Sequence, residues 1–415
     1  MVTSNTPADA DAPATDPGDE AATGGRLLTD PRLDAVVLLS AVGVFGNQAV
    51  PAILPSIGAG LGLPDARIGL VMTAFYLPTM VFVPITAIVS DIYGRRPVVL
   101  TSLLAFGLAG VAVLGAGSLE ALLALRAIQG AALAGLTPLA VALLGDFFDG
   151  TTGTAAQGIR SSAHGIVIIL APAIAGVLAG LNWRYPFLLY GAAFPAFVLV
   201  YVYLPEGVRD RRNGDVGARL REYAGSIVEA LRDRNMAVLI AGGFTLFFVR
   251  YGMLTTVPLL ATRRLGASAA ETGLALSALG VVRIVVAPLS GRFVARVSRR
   301  PAAAATTGVL AASLAALAVV PTLPAMVAAV ALFGVGMALL NPLLNDTVTA
   351  IAPASERAGV VSSLHLFKNL ATTVAPTAFT VALAATGFAV VFAAGAAVAL
   401  VYVAVVVAFF EPAPA

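Results

Sequence analysis

Four basic side chains interrupt long apolar stretches of the sequence: Arg126, Arg250, Arg283 and Lys368. A charge at the centre of a lipid bilayer costs on the order of 3 kcal/mol by insertion scales, so each should face a wet cavity or a polar partner. Lys368 is the only lysine, and a buried lysine shifts its pKa readily. This pattern predicts a group that takes up and releases a proton; a static ion pair that fixes helix packing is the alternative.

Other polar residues in the same stretches are candidate partners. Asp346 is expected as the countercharge of Lys368 or Arg283, and an acid–base pair of this kind could exchange a proton. The candidates for proton coupling are Arg126, Asp34, Asp346, His365 and Lys368. The candidates for lining a substrate cavity are Asn47, Gln48, Gln129, His164, Arg250, Tyr251, Arg283 and Lys368. If most of these cations face one cavity, it favours anionic or carbonyl-rich substrates over lipophilic cations.

Cysteine and histidine counts limit the chemistry. The chain has no cysteine and two histidines, which makes a thiolate or histidine metal site unexpected. A phosphate-binding loop of the Gly-x-x-x-x-Gly-Lys-Ser/Thr type is absent, so we expect no nucleotide and no other cofactor. Net charge is only +3, with the basic residues in loops, which gives nucleic-acid binding no support. No set of residues for nucleophilic catalysis stands out, so we do not expect an enzyme.

Composition predicts the elements that must position these residues. Hydrophobic residues make up 59% of the chain and charged residues 11%, against roughly 25% charged in soluble domains. Apolar runs of about 20 residues predict a helical protein that crosses a membrane repeatedly. Twelve runs are predicted, at 33–57, 66–90, 97–117, 119–145, 158–181, 184–204, 236–260, 270–294, 301–321, 323–350, 358–385 and 387–410.

The predicted domain organisation follows from these runs. It consists of a disordered acidic tail 1–28, a six-helix bundle 29–204, a cytoplasmic linker 205–235, a second six-helix bundle 236–410 and a short tail 411–415. Most arginines fall in loops on the side of both termini, which places the termini in the cytoplasm. We therefore expect a multi-pass protein of the plasma membrane, monomeric, with the lipid bilayer as its surroundings.

An internal repeat relates the two bundles. The segment Asp91–Pro97, a polar hinge between two apolar runs, returns 204 residues later, where Arg95, Arg96 and Pro97 correspond to Arg299, Arg300 and Pro301. The same offset relates four further matches: Gly69 with Gly273, Gly130 with Gly334, Pro138 with Pro342 and Pro172 with Pro376. This pattern predicts two halves related by an axis along the membrane normal, an arrangement found in transporters that rock around a central cavity.

These motifs resemble those of the major facilitator superfamily, and within it the drug:proton antiporter-like group with twelve spans. The loop motif matches at Asp91, Gly94, Arg95 and Arg96, and the span-four motif at Arg126, Gln129 and Gly130. In the span-five antiporter motif only Ala171, Pro172 and Gly176 remain recognisable. The resemblance implies an all-α membrane protein in which two six-helix bundles alternate access to a central site. It also implies that the arginine at position 126 takes part in proton coupling or substrate contact.

A gating role is expected for charged residues at the cytoplasmic helix ends. Asp146 is the expected partner of Arg95, and such contacts would hold the halves together when the cavity opens outward. The expected gating set is Asp91, Gly94, Arg95, Arg96, Asp146, Arg296, Arg299 and Arg300. The alternative for Arg95 and Arg96 is that they only anchor the loop on the positive side of the membrane.

Three functions are compatible with these residues and motifs. The first is proton-coupled export of a drug-like molecule or metabolite, which the span-four motif favours. The second is proton-coupled uptake or exchange of an organic anion, favoured by the incomplete span-five motif and the cationic residues. The third is a non-transporting membrane sensor. In the first two, the partners are a small-molecule substrate and protons.

Overall fold

The computed structural model describes residues 29–205, 231–351 and 357–410, together with Leu27 and Gly225. The predicted tails 1–28 and 411–415 fall almost entirely outside these residues, as does most of the predicted linker 205–235. The side chain of Arg296 also lies outside the described part. The domain boundaries at 29, 204, 236 and 410 therefore stay predictions.

The described residues form helices and no strand. Twelve helical segments, labelled α1–α12, follow one another: Pro31–Leu61, Asp65–Tyr93, Arg95–Gly115, Leu119–Phe147, Gly150–Leu181, Tyr185–Tyr203, Arg234–Arg263, Ala269–Arg296, Arg299–Val319, Leu323–Ile351, Arg357–Thr386 and Phe388–Phe409. Of these, eleven contain stretches long and apolar enough to cross a membrane; α11 is not among them. We refer to α1–α6 as the N-terminal half and to α7–α12 as the C-terminal half.

Packing shows that α11 also traverses the bundle. A Cβ atom added to Gly243 of α7 would meet Leu364 and Lys368 of α11, and one added to Gly252 would meet Phe379. The two helices therefore run side by side in the same direction over at least nine residues of α7. Since α7 is itself long and apolar enough to span, α11 covers the same depth, which agrees with the twelve predicted segments.

Local sequence explains where several helices begin and break. Asp30 caps α1 by accepting a hydrogen bond from the Arg32 backbone N–H at 2.9 Å, and Pro31 follows as the first helical residue. Gly94 has a φ of +92°, a conformation that favours glycine, and it joins α2 to α3 without any intervening loop. The predicted continuous run 119–145 is broken at residues 134–136, and a new helix starts with Pro138 in its first turn.

The internal repeat appears in the structure as two equivalent interfaces between the halves. A Cβ atom on Gly69 of α2 would collide with the Pro376 carbonyl of α11, and one on Gly273 of α8 would collide with the Pro172 carbonyl of α5. Gly69 and Gly273 are one repeat apart, as are Pro172 and Pro376. Glycine at both positions lets the two helices of each interface approach closely, because no Cβ atom stands between the glycine and the facing carbonyl.

Hydrogen bonds repeat with the same symmetry. The Thr73 hydroxyl of α2 donates to the Thr373 carbonyl of α11 at 2.8 Å, and the Ser277 hydroxyl of α8 donates to the Ile169 carbonyl of α5 at 2.5 Å. Each donor and each acceptor is again 204 residues from its counterpart. The α2–α11 and α5–α8 interfaces are therefore one contact built twice, as the sequence repeat predicts.

Both interfaces lie toward the end of the bundle opposite the termini, here called the far end. Six of the seven buried residues of α5 fall between Ile168 and Ala179, in the half of that helix nearer the far end. On α8, Leu276 is buried whereas Ile284 and Val285, closer to the end that carries the termini, are exposed. The buried residues of α5 and α8 thus lie toward the far end. The two halves are therefore in contact there, with a space between them toward the termini.

The α5–α8 contact generates a prediction about this arrangement. A Cβ atom on Gly176 would meet the Ala269 carbonyl of α8, whereas one on Gly180, a helical turn later, would meet nothing within 4 Å. We expect Gly176→Val to separate the halves at the far end, with Gly180→Val as the matched control. Since the chain has no cysteine, disulfide formation between Ala66→Cys and Thr380→Cys on the other interface reports closure. Cross-linking should fall several-fold in the Gly176 variant only; equal cross-linking in both variants would contradict the rigid-body arrangement.

Candidate functional site

An open cavity lies between the halves, with about 870 Å³ of empty space when the part open to solvent is included. It is bounded by α1 and α5 on one side and by α7, α8 and α10 on the other. Its lining combines apolar side chains with two arginines and two amides: Gln48, Ile168, Pro172, Arg250, Leu254, Leu276, Leu279, Arg283, Phe333, Gly334, Met337, Ala338, Asn341 and Pro342. Of the predicted cavity residues, Gln48, Arg250 and Arg283 therefore lie on its wall.

The two arginines on this wall lack protein partners. Within the described part of the chain, neither Arg250 nor Arg283 makes a hydrogen bond or an ion pair, and the two groups are close enough to interact electrostatically. Arg250 lies over the rings of Phe247 and Tyr251, 5.9 and 5.4 Å from their centroids. The wall thus presents two unpaired positive charges.

Lys368 lies behind this wall and is only 3% exposed. Its Nζ donates to Asn345 Oδ1 at 2.8 Å and to Asn341 Oδ1 at 3.1 Å, and it sits 5.4 Å from the centre of the Phe247 ring. Because Asn341 also lines the cavity, a single amide links the ammonium group to the open space. Sequence reasoning missed both asparagines, although their spacing of four residues on α10 places them on one helical face.

The prediction that Asp346 is the countercharge of Lys368 or Arg283 is wrong in this structure. Asp346 instead pairs with Arg299 of α9 at 3.7 Å. The reason is helical phase, since Asp346 is rotated about 100° from its neighbour Asn345, which faces Lys368. Each carboxylate that the structure describes lies in a loop or within two turns of a helix end, so the charged groups in the middle of the described bundle are cations.

The two histidines occupy different surroundings. His164 of α5, one repeat before Lys368, lies with its Nε2 2.5 Å from the Ser40 hydroxyl and 3.5 Å from Arg160. His365, one turn before Lys368, is exposed. Neither ring is part of the cavity lining. Within the described residues, histidine and acidic side chains form no group of three or more that could hold a metal ion.

Arg126 is fully buried inside the N-terminal half and is not on the cavity wall. Its guanidinium donates to Gln129 Oε1 at 2.8 Å, to the Tyr190 hydroxyl at 3.0 Å and to the Val71 carbonyl at 3.3 Å, and it lies 4.0 Å from the centre of the Phe75 ring. Of the two surroundings expected for it, a wet cavity or a polar partner, Arg126 has the polar partners. Its Nη2 and the Gln129 Nε2 lack hydrogen-bond partners among the described residues.

Asn47 connects the halves near the middle of the bundle. Its Nδ2 donates to the Tyr251 hydroxyl at 3.3 Å, and its Oδ1 accepts from the Tyr76 hydroxyl. Asn47 and Tyr251 are separated by one repeat length, so they occupy equivalent positions and meet across the pseudo-symmetry axis. The ring of Tyr76 packs edge-on against that of Tyr251, with centroids 5.0 Å apart.

Ion pairs at the termini end lie within each half. Arg95 pairs with Asp146, as predicted, but both belong to the N-terminal half, and Arg299 pairs with Asp346 inside the C-terminal half. These two pairs therefore do not bridge the halves in this state, and the expectation that such contacts hold the halves together when the cavity opens outward stays a prediction.

The remaining residues of the gating set lie near the same end. The Arg96 guanidinium donates to the Tyr201 carbonyl at 2.5 Å and stacks on its ring. Asp34 and Asp91 are exposed, and Arg300 is half-buried.

An ion pair that does bridge the halves lies at the far end. Asp65 at the start of α2 pairs with Arg263 in the last turn of α7. Sequence reasoning missed this contact, since opposite charges at the ends of two distant helices carry no periodic signal. The equivalent positions in the repeat are Ala269 and Ala59, so the pair stabilises only one of the two related corners.

A family model described as Major Facilitator Superfamily matches residues 36–266 and 239–415. The chain belongs to the major facilitator superfamily. It is therefore a multi-pass membrane protein of a family of secondary transporters, which handle small-molecule substrates within the membrane. The all-α fold and the twelve segments predicted from the sequence agree with this membership.

Curated relatives of this superfamily include drug transporters. The chain is 22% identical over 384 residues to "Multidrug transporter protein MdtP" of Bacillus subtilis (strain 168), covering 79% of this chain and 70% of that protein. It is 26% identical over 379 residues to "Tetracycline resistance protein, class G" of Vibrio anguillarum, covering 86% and 91%. A shorter match, 27% identical over 162 residues, is to "Bacillibactin exporter" of Bacillus subtilis (strain 168) and covers 37% and 40%.

Solved structures share the fold. A bacterial homologue of the human lysosomal transporter Spinster, inward-facing and unoccupied, superimposes with a TM-score of 0.76 at 16% identity, covering 95% of this chain and 99% of that one. A D-xylose–proton symporter gives a TM-score of 0.72 at 14% identity, covering 92% and 98%. At these identities the likeness describes the superfamily fold alone.

The surroundings of Arg126 give a stability prediction. Tyr190→Phe removes a hydroxyl that accepts from Arg126 and donates to the Gly46 carbonyl at 2.8 Å. Leaving buried polar groups unsatisfied should destabilise the protein by about 1–3 kcal/mol. Tyr185→Phe in the same segment is the control, because the Tyr185 side chain is exposed. Denaturant unfolding of the purified protein should separate the two variants, and equal stability would show that the Tyr190 hydroxyl contributes nothing.

Proposed function

We propose that this protein exports small organic molecules across the plasma membrane by alternating access, driven by proton movement. The observation that carries the proposal is the cavity between two pseudo-symmetric halves that touch at the far end through equivalent glycine–carbonyl contacts. The printed names of the relatives, a multidrug transporter, a tetracycline resistance protein and a bacillibactin exporter, support export over uptake. We further propose that the transporter works as a monomer, with both termini in the cytoplasm.

With that orientation, the present structure is the state in which the cavity opens to the cytoplasm. Outward opening then requires the α2–α11 and α5–α8 contacts and the Asp65–Arg263 pair to separate. The halves must approach one another at the cytoplasmic end, where the gating set lies: Asp91, Gly94, Arg95, Arg96, Asp146, Arg296, Arg299 and Arg300. In this proposal the intra-half pairs Arg95–Asp146 and Arg299–Asp346 hold the cytoplasmic helix ends rigid, so that each half moves as a body.

Lys368 is the proposed proton carrier. Its hydrogen-bond partners in the structure are two neutral amides, Asn341 and Asn345. An asparagine can accept from an ammonium group through its oxygen and, after rotation, donate to a neutral amine through its nitrogen. The site can therefore satisfy both protonation states of the lysine, which a carboxylate partner would not. Of the remaining coupling candidates, Asp34, Asp346 and His365 do not line the cavity, and Arg126 stays charged at all relevant pH values.

A second candidate function is proton-coupled uptake or exchange of an organic anion. The specific observation in its favour is the pair of unpartnered arginines on the cavity wall, Arg250 and Arg283. The two functions differ in direction, so a strain lacking the gene separates them: greater sensitivity to toxic compounds indicates export, and failure to grow on one nutrient indicates uptake.

Reconstitution tests proton coupling directly. In proteoliposomes, a pH gradient should drive accumulation of an exported compound against its own gradient; tetracycline and puromycin are suitable first probes because relatives are named for resistance to them. Lys368→Arg keeps a positive charge at this position but cannot release a proton, because arginine stays protonated at all relevant pH values. We expect this variant to retain binding and to lose gradient-driven accumulation by at least about tenfold, equivalent to about 1.4 kcal/mol of coupling.

Arg67→Gln, at an exposed position on the far side, is the control for a change of charge. Wild-type transport that ignores the pH gradient would contradict proton coupling. Transport by Lys368→Arg that follows the gradient as the wild type does would remove Lys368 from the mechanism and leave the coupling role to another group.

A further inference from the structure

We propose that the substrates of this transporter are amphipathic organic anions whose carboxylate, or a comparable oxyanion, is held between Arg250 and Arg283. This inference rests on the proposed transport function and specifies the substrate class of the same cavity. It follows from the two guanidinium groups, from the lack of acidic residues among the described residues of the wall and from the apolar remainder of the lining.

The guanidinium groups need acceptors that the protein does not supply. Each carries five N–H donors, and in the described part of the chain neither has a hydrogen-bond acceptor or a carboxylate. Two such groups close enough to repel one another are stabilised by an anion between them. A carboxylate fits this role because it accepts two parallel hydrogen bonds from one arginine and can still reach a second.

The aromatic contacts of Arg250 do not prevent its guanidinium from binding an anion. Phe247 and Tyr251 lie against the guanidinium at 5.9 and 5.4 Å between its central carbon and the ring centroids. Contact with an aromatic face positions the planar cation without consuming its N–H donors. Arg250 is therefore oriented by the protein while its hydrogen-bonding edge remains available to a ligand.

The other residues that line the cavity indicate which chemical groups the rest of the substrate carries. Leu254, Leu276, Phe333 and Met337 provide an apolar wall, and Gln48 and Asn341 provide neutral amides. Since no carboxylate lines this cavity among the described residues, a lipophilic cation would meet two positive charges with no compensating group.

Binding of a matched set of probes tests the inference without requiring transport. Naphthoate, naphthamide and naphthylmethylammonium share one aromatic body and differ in charge. The full-length protein is placed in nanodiscs of phosphatidylcholine, and binding is measured by isothermal titration calorimetry and by thermal stabilisation. We expect naphthoate to bind at least about tenfold more tightly than either analogue, as befits hydrogen bonds to a charged group.

Variants assign the binding to the two arginines. Arg250→Gln and Arg283→Gln should each weaken naphthoate binding by about tenfold or more and should leave the weak naphthamide binding unchanged. Arg264→Gln is the matched control, since Arg264 is an exposed arginine at the far end of the helix that carries Arg250. Adding phosphatidylglycerol to the nanodiscs identifies the source of the natural anion: competition with naphthoate indicates a lipid headgroup, and no competition indicates a soluble acid.

Three results would overturn the inference: preferential binding of the ammonium probe or the amide, naphthoate binding that survives both arginine substitutions, or no binding of naphthoate at millimolar concentration. None of them depends on a proton gradient. Transport of a cationic or neutral drug without naphthoate binding would therefore contradict only the proposal that the substrates are organic anions. Conversely, naphthoate binding without gradient-driven transport would contradict only the proposed proton coupling.

Discussion

The feature on which the rest of the structure depends is a set of positive charges held inside a bilayer without acidic partners. Burying an unpaired cation is unfavourable, so each one must be stabilised in another way. Arg126 is stabilised by a hydroxyl, an amide, a carbonyl and an aromatic face, and Lys368 by two asparagine oxygens. Arg250 has two aromatic rings beside it but no hydrogen-bond acceptor among the described residues, and Arg283 has neither. The interior thus divides into cations that donate hydrogen bonds to the protein and cations whose N–H groups are left for water or a ligand, and this division separates scaffold from site.

Pseudo-symmetry explains why much of the fold could be predicted from the sequence. The 204-residue offset relates Gly69 to Gly273 and Pro172 to Pro376 in the sequence alone, and these residues form the two equivalent contacts between the halves. Such contacts depend on how closely two helix backbones approach. Glycine and proline set this distance through their own backbone geometry, so a sequence repeat that keeps these residues also keeps the contacts. Helix number and order follow equally from apolar length, because a bilayer imposes one thickness on every segment.

The site could be predicted only in part, because its contacts depend on helical phase and on distant partners. The sequence predicts Asp346 as the countercharge of Lys368 or Arg283, yet one residue of helical rotation places Asn345 beside Lys368 and turns the Asp346 carboxylate toward Arg299. A wet cavity or a polar partner is expected for Arg126, but the sequence does not reveal that a partner is Tyr190, 64 residues later in the chain and inside the N-terminal half. The far-end pair of Asp65 with Arg263 has no counterpart in the repeat. The candidate site residues differ between the two halves, so the repeat cannot reveal them. At the position of Lys368 the N-terminal half has His164, and at the position of Arg250 it has Gly46.

An anionic substrate also bears on the direction of transport. Moving one negative charge out of a cell that is negative inside by about 100 mV is favourable by about 2.3 kcal/mol, before any proton is moved. Inward movement of the same anion is opposed by that amount and needs at least one accompanying proton to become electroneutral. The membrane potential assists only export, so the anion-binding cavity and the export proposed from the relatives are energetically consistent with one another.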